Sequence, residues 1–243
     1  HLAIFATEIV SFELLVRRHG LQPDVLVGHS YGELMALVCA GAYSLEDGVG
    51  LVVARNRALR EQLEQPGGML ALGMAAQRVE ALLAAAALGS VQVAADNSPN
   101  QCVVSGPDAA LARVREAAAA LGWPATALRV PYPFHHRMLA PAARVFAKAA
   151  AALPIAPAGH RLYSPIMGHT LTHDGEVAAL VAAHMTQPTR FREALYALQA
   201  QGVRTFVECG ARGILAGLVE ETLVGARALG LQRIQGLAES RRL

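Results

Sequence analysis

The chain has 243 residues, of which 53% are hydrophobic and 16% are charged, with a formal net charge of +2. This length suits one large domain, or a large domain with a smaller insert. The near-balanced charge gives no reason to expect nucleic acid as a partner. No apolar run approaches the ~18 residues of a membrane span, and no signal peptide is recognisable. Three scattered cysteines without metal-ligand spacing (Cys39, Cys102 and Cys209) indicate a reducing compartment, so we expect a cytoplasmic protein.

The first 40 residues predict a helix, a strand and a second helix. Apolar residues at helical spacing run over 2–19 and end at Gly20, and a short apolar run follows at 25–28. The second helix is predicted from Tyr31 to about residue 40. Because His1 already lies in what reads as the middle of a helix, we expect the chain to be a piece of something longer, or to lack an N-terminal strand.

The turn between that strand and the second helix carries a G-x-S-x-G pattern centred on Ser30. Such a turn is strained and crowded, so we expect a side chain at Gly28 or Gly32 to collide with the elements that the turn joins. The turn would lift the Ser30 hydroxyl clear of the backbone. A coincidental loop is the alternative, but the flanking strand and helix favour a working nucleophile.

The rest of the chain predicts two domains. A helix capped by Ser44 runs to about residue 65, and a Pro-Gly-Gly break follows at 66–68. The order strand, helix, strand, strand, helix, strand then indicates a small ferredoxin-like subdomain at 67–130. It would be inserted into a large α/β catalytic domain of 1–66 and 131–243, with a mostly parallel sheet covered on both faces. The predicted strands are 69–74, 91–95, 102–105, 125–130 and 204–207, the predicted helices are 76–87, 108–121, 138–152 and 212–222, and 239–242 are expected to be a frayed end or a linker.

A serine hydroxyl is a poor nucleophile until a base takes its proton, and nine histidines are available. Neighbouring strand residues point opposite ways, so His29 is expected to hydrogen-bond behind the turn. The pair His135 and His136 lies in a proline-stiffened loop between a predicted strand and helix, where such folds place active-site loops. The residues alone favour this loop without choosing between the two. The other candidates, which we expect to be solvated, are His19, His160, His169 and His173.

The GHSYGE stretch at 28–33 resembles the GHSxGE motif of malonyl-CoA:acyl-carrier-protein transacylases and of polyketide and fatty acid synthase acyltransferase domains. The likeness continues in family order over nearly the whole chain. The resemblance implies an α/β fold with an α/β-hydrolase-like core, a parallel sheet and an inserted ferredoxin-like subdomain. Further matching stretches are ALVCAG at 36–41, RNR at 55–57, NSP at 97–99, VVSG at 103–106, FH at 134–135, QPTRF at 187–191 and FVECG at 206–210.

The resemblance implies roles for single residues. Ser30 would be the acylated nucleophile, and His135 would be the base that closes YPFH at 132–135, where the family has HAFH or YASH. Arg55 would grip the free carboxylate of malonyl with two parallel donors. The residues alone favour a solvated Arg55 on an arginine-rich helix. Phe134 before the base goes with malonyl rather than methylmalonyl in the family.

Further positions of the family site match Tyr31, Asn97 and His184. The backbone N–H of Tyr31 would serve the oxyanion hole, although its bulky side chain departs from the family. Asn97 falls near the substrate site, with a plain turn role as the alternative. His184 falls where the backbone carbonyl that orients the base would come from. The second oxyanion donor of the family sits on an N-terminal strand, which we expect to be missing before His1.

The resemblance thus implies an acyltransferase that moves a malonyl group from coenzyme A to the phosphopantetheine thiol of an acyl carrier protein. No metal or redox cofactor is expected, since no His/Cys/Asp cluster has ligand spacing. Neither nucleic acid nor a membrane is an expected partner, whereas adjoining domains of a megasynthase are. An acyl-thioester hydrolase and a non-catalytic module that docks carrier protein are the alternatives.

Overall fold

The computed structural model describes residues 1–62 and 65–231, in which helices alternate with short strands. The first helix continues into a π-helical turn over Leu14–Arg18, and a 3-10 turn over Arg137–Leu139 precedes the sixth. The helices are α1 Leu2–Glu13, α2 Gly32–Cys39, α3 Leu45–Gln62, α4 Ala76–Ala85, α5 Asp108–Ala120, α6 Ala140–Ala150, α7 Asp174–Ala183, α8 Phe191–Ala200 and α9 Ile214–Thr222. The strands are β1 Leu26–Val27, β2 Gly67–Leu72, β3 Gln92–Ser98, β4 Gln101–Pro107, β5 Ala125–Ala127, β6 Leu162–Ser164, β7 His169–Leu171, β8 Thr189–Arg190, β9 Thr205–Glu208 and β10 Arg227–Gly230.

A five-stranded sheet in the order β5-β2-β4-β3-β8 occupies the region predicted as ferredoxin-like. Its first four strands pair antiparallel, and α4 and α5 bury Val79 and Val114 against Leu72 and Val104. The fifth strand comes from the C-terminal part of the chain and pairs parallel with β3. The sheet therefore extends beyond 67–130, and the division of the chain at those boundaries stays a prediction.

The strands outside that sheet differ from the single parallel sheet that we expected. β1 pairs parallel with β6, β6 pairs antiparallel with β7, and β9 pairs parallel with β10 as a separate sheet. A cavity of about 780 Å³ is bordered by residues of α1, of β1 from the first of these sheets and of β9 from the second. Parallel pairing is therefore present in both sheets, as expected, although the described strands form two sheets rather than one.

Helices α2, α3, α6 and α7 share the largest apolar core of the described residues. Leu37, Leu51, Phe146 and Leu180 are fully buried in it. This core holds α2, the helix that follows Ser30, and α7, whose end leads to the segment beside His135. Within the described ranges, no helix is long and apolar enough to cross a membrane.

Most predicted element boundaries lie within three residues of the observed ones, and the main differences are as follows. The predicted helix over 2–19 ends as a regular α-helix at residue 13, and the predicted strand over 125–130 is only three residues long. The helix predicted over 138–152 is observed to begin at Ala140, after the 3-10 turn. The Ser44 cap is confirmed, since its Oγ accepts the Asp47 N–H at 3.0 Å. The predicted C-terminal linker at 239–242 lies outside the described residues.

Candidate active site

The turn between β1 and α2 holds Ser30 in a left-handed backbone conformation, with φ at 54°. A Cβ on Gly28 would lie 2.4 Å from the backbone N and Cα of Glu33, so the turn closes only with glycine there. At Gly32 a Cβ would meet nothing closer than 3.9 Å. The predicted collision is thus found at Gly28, and the prediction is wrong for Gly32, where the added carbon would make only an ordinary contact with Glu8 Oε2.

Ser30 and His135 come together although 105 positions separate them. Ser30 Oγ lies 2.6 Å from His135 Nε2, and His135 Nδ1 lies 2.7 Å from the backbone carbonyl of Gln187. A carbonyl only accepts, so Nδ1 carries the proton and Nε2 is free to accept the Ser30 O–H. Burial lowers the pKa of His135 to about 4, which keeps the imidazole neutral. The pair has the geometry of a nucleophile and its general base.

The other histidine of the loop has a structural position. His136 Nε2 donates to the backbone carbonyl of Ser90 at 3.0 Å, and its Nδ1 accepts the Met138 N–H at 3.1 Å. With both ring nitrogens engaged, His136 has no group left to serve Ser30. The choice that the residues alone left open therefore falls to His135.

The carbonyl that orients His135 belongs to Gln187, not to His184 as we expected. Instead, the His184 side chain donates from Nε2 to the backbone carbonyl of Ser30 at 3.1 Å. Sequence reasoning missed Gln187 and also Thr189, whose Oγ1 lies 3.5 Å from His135 Nε2. The only signal for Gln187 was its place in the QPTRF stretch.

Arg55 is buried, with only 2% of its surface exposed, so the solvated alternative is wrong. The guanidinium carbon lies 5.0 Å from the centre of the Tyr31 ring and 4.8 Å from that of Phe134. Among the described residues, Arg55 Nε and Nη1 have no hydrogen-bond partner. Burial lowers the pKa of Arg55 to about 10, which still leaves it charged at neutral pH. An unpaired buried cation of this kind is a site for an anion.

The backbone N–H of Tyr31 is available to an oxyanion. In the described part of the chain, the next two N–H groups donate to the carbonyls of His29 and Ser30, whereas the Tyr31 N–H has no acceptor. The Tyr31 hydroxyl is also buried and has no hydrogen-bond partner in residues 1–62 and 65–231. The His1 ring lies beside the Tyr31 ring, with the two ring centres 5.2 Å apart.

Asn97 lies behind the turn rather than beside Ser30. Its Oδ1 lies 2.7 Å from His29 Nε2, and its Nδ2 donates to Gln101 Oε1 at 2.7 Å. His29 therefore has the structural position that we expected, and Asn97 links the turn to the hairpin of β3 and β4. Asn97 makes no contact with Ser30 or His135 among the hydrogen bonds of the described residues.

Comparisons with known proteins point to one family. Residues 1–238 match a family described as acyl transferase domain. The chain is 33% identical to polyketide synthase GfsA from Streptomyces halstedii, over 98% of the chain and 3% of that protein. It is 35% identical to the solved acyltransferase domain of the iterative polyketide synthase in enediyne biosynthesis, with a TM-score of 0.84 over 95% of this chain and 60% of that one. It is 29% identical to a malonyl CoA-acyl carrier protein transacylase from Coxiella burnetii, with a TM-score of 0.90 over 99% of this chain and 77% of that one.

These likenesses confirm the expected fold class, an α/β-hydrolase-like core with a ferredoxin-like subdomain. The chain spans only 3% to 14% of the length of the curated relatives that it matches. The site geometry and the match over nearly the whole chain lead to one assignment. The chain belongs to the acyl transferase domain family, whose members here are polyketide synthase acyltransferase domains and malonyl-CoA:acyl carrier protein transacylases.

Proposed function

We propose that this chain transfers a malonyl-type acyl group from coenzyme A to the phosphopantetheine thiol of an acyl carrier protein. The observation that carries the proposal is the buried Arg55, which has two donors without a partner among the described residues and lies against the Tyr31 and Phe134 rings. Tyr31 directly follows the nucleophile, and Phe134 directly precedes the base. An acyl group held on Ser30 would therefore direct a distal carboxylate toward Arg55.

The transfer runs in two half-reactions through an ester on Ser30. His135 Nε2 takes the hydroxyl proton as Ser30 Oγ attacks the thioester carbonyl carbon, and the Tyr31 N–H donates to the developing oxyanion. The C–S bond breaks, and His135 returns the proton to the departing sulfur of coenzyme A. The carrier thiol then gives its proton to His135, attacks the ester carbonyl, and releases Ser30 with its proton restored. The reaction needs no metal or redox cofactor.

Malonyl fits this site better than a 2-substituted malonyl. The Phe134 ring is 8% exposed, meets the Tyr132 ring edge to face with centres 5.8 Å apart, and lies 4.8 Å from the Arg55 guanidinium carbon, so it would crowd a 2-substituent on an acyl group whose carboxylate binds Arg55. A methyl group rejected by packing alone is worth only ~1–3 kcal/mol. We therefore expect malonyl to be preferred and methylmalonyl to be transferred slowly.

Two other functions fit the site less well. A hydrolase of neutral acyl chains would gain nothing from a buried unpaired cation, which is costly to keep. A docking module without turnover would have no use for the 2.6 Å contact of Ser30 with His135. Each of the two alternatives predicts a different result in the experiment below.

The test is incubation with labelled malonyl-CoA, followed by intact mass measurement. Transfer predicts a stable malonyl adduct that moves to added carrier protein and is absent in Ser30→Ala. Free malonate without an adduct would favour hydrolysis. Neither adduct nor free acid would leave only the docking module.

The carboxylate role of Arg55 has its own test. Arg55→Ala should lower malonyl loading ~10- to 100-fold, because a charge-assisted hydrogen bond is worth ~1.5–3 kcal/mol. Acetyl loading, which presents no carboxylate, should change only a few-fold. Arg57→Ala is the matched control, since Arg57 lies on the same helix with its side chain 72% exposed. Equal losses of malonyl and acetyl loading in Arg55→Ala would contradict the carboxylate role.

A further inference from the structure

The four residues that follow α7, 184–187, contact both Ser30 and His135. The His184 side chain donates to the Ser30 carbonyl at 3.1 Å. The carbonyl of Met185 accepts the His135 N–H at 2.8 Å, and the carbonyl of Gln187 accepts from His135 Nδ1 at 2.7 Å. One short segment thus fixes the backbone of the nucleophile together with the backbone and the ring of the base.

Both residues held by this segment have unfavourable backbone conformations. Ser30 has φ at 54° and His135 has φ at 60°, in the left-handed region that side chains other than glycine rarely adopt. Such a conformation is strained and persists only where the surrounding structure enforces it. The Ser30 carbonyl also accepts the Glu33 N–H at 3.0 Å, which any turn of this kind would provide. The bond from His184 is the additional, side-chain restraint.

His184 is held firmly enough to act as a restraint. It is 1% exposed, and its ring lies between those of Phe146 and His135, with each pair of centres 6.4 Å apart. Burial lowers the pKa of His184 well below its usual value, so the ring is neutral and carries one proton. That proton sits on Nε2, because the Ser30 carbonyl can only accept. The other nitrogen has no partner among the described residues.

We propose that His184 is a positioning residue for the nucleophile, and that its Nε2–H keeps the Ser30 turn in the conformation that places Oγ 2.6 Å from His135 Nε2. The proposal rests on the proposed function only in taking Ser30 as the nucleophile. It assigns His184 no contact with the acyl group. Loss of the His184 Nε2–H should therefore slow the chemical step and leave substrate binding unchanged.

The test compares two substitutions of similar size. In His184→Gln the side-chain amide keeps an N–H donor, whereas His184→Met removes it. Two rates are measured: labelling of Ser30 by a fluorophosphonate, which reports nucleophilicity without any acyl donor, and loading from malonyl-CoA. His184→Met should lower the labelling rate and kcat by ~10- to 100-fold, as expected for a misplaced nucleophile, with KM unchanged within twofold. His184→Gln should recover most of both rates.

A matched control separates positioning from simple loss of packing. Leu180→Ala lies one turn earlier on α7 and is fully buried, so it should lower the melting temperature and leave both rates near wild type. Equal labelling of the Met variant and wild type, a Gln variant no better than the Met variant, or an equal loss in Leu180→Ala would overturn the proposal. Should the Met variant fail to fold, the Gln variant decides: labelling near wild type supports the proposal, and labelling as low as in Ser30→Ala overturns it. A wild type that is labelled but not loaded by malonyl-CoA would refute the proposed function and leave the role of His184 measurable.

Discussion

At the scale of single residues, the protonation state of His135 decides whether Ser30 can be activated. The imidazole is 3% exposed, and burial outweighs the hydrogen bond to Gln187 that favours the charged ring. The charges of His29 and Arg55 lower the pKa further. Because the pKa falls to about 4, the ring is a competent base at any pH well above that value.

This predicts the pH dependence of acylation. A protonated imidazole cannot accept the Ser30 proton, so the rate falls on the acid side of the His135 pKa. The acid limb of kcat/KM for malonyl loading should therefore lie near pH 4, and the rate should be flat from about pH 5.5 to 8. Circular dichroism at each pH excludes acid unfolding as the cause. An acid limb centred near pH 6.5, the ordinary histidine value, would contradict the prediction.

Single residues also show what the sequence alone can and cannot predict. The G-x-S-x-G pattern identified Ser30 because the glycine spacing and the apolar patterns of the flanking strand and helix can be recognised from residue types alone. Arg55 was different: its helix carries three arginines, and nothing in their spacing shows which one is buried. Gln187 acts through its backbone carbonyl, which every residue has, so no residue type could have pointed to it in place of His184.

At the scale of elements, a buried carboxyl group joins α2 to the end of β6. Glu33 is 2% exposed, and it accepts the Ser164 hydroxyl at 2.5 Å and the Ile166 N–H at 3.0 Å. Burial raises the pKa of Glu33 to about 8 and outweighs both hydrogen bonds, which favour the charged form. Glu33 is therefore largely protonated in the folded protein at neutral pH.

A raised pKa in the folded state has a definite consequence for stability. The stabilising contribution of Glu33 is complete below its unfolded pKa near 4.5 and is lost as the pH rises toward 8. The free energy of unfolding should therefore fall between pH 6.5 and 8, by up to ~1.4 kcal/mol per pH unit. The buried histidines have lowered pKa values and act mainly below pH 6.5.

The matched variant for this effect is Glu33→Gln, which cannot ionise. Its free energy of unfolding, from urea titrations between pH 6.5 and 8, should depend less on pH than that of the wild type. Glu8, whose pKa burial raises to about 7, contributes equally to both proteins and cancels in the difference. Parallel pH profiles for the two proteins would contradict the assignment.

Elements were predictable where their pattern is long, and not where it is short. The helices from α2 to α5 follow from apolar spacing, to which α3 adds its Ser44 cap. β8 was missed because its two residues, Thr189 and Arg190, carry no alternating pattern. Its pairing with β3 depends on a partner about 95 positions away, which no local window contains.

At the scale of the whole molecule, three of the contacts that join the five-stranded sheet to the rest of the protein lie near the end of β3. β8 extends the sheet, His29 reaches Asn97, and Arg192 pairs with Asp96. Arg192 Nη2 and Nε lie 2.8 and 3.0 Å from Asp96 Oδ2, and the two side chains are only 15% and 9% exposed. A pair so shielded from water holds the sheet beside the segment that carries Gln187.

The ion pair predicts non-additive stability. Arg192→Met should cost about 2–4 kcal/mol, because it leaves the Asp96 carboxylate nearly buried without its cation. Adding Asp96→Asn to that variant should recover part of the loss, since the uncompensated charge is removed. Urea unfolding of both single variants and the double variant measures the coupling, and Arg57→Met in the exposed pair with Glu61 is the control, expected to cost less than 1 kcal/mol. A double variant whose loss equals the sum of the single losses would contradict coupling.

The buried guanidinium between two aromatic rings also bears on how this protein must be handled. The Arg55 guanidinium is already desolvated in the folded protein, so a small anion that binds it gains the electrostatic attraction without a further desolvation penalty for the guanidinium. Acetate, formate and similar buffer ions should then compete with the acyl donor for Arg55. Rates measured in such buffers would then depend on the identity of the buffer anion as well as on ionic strength.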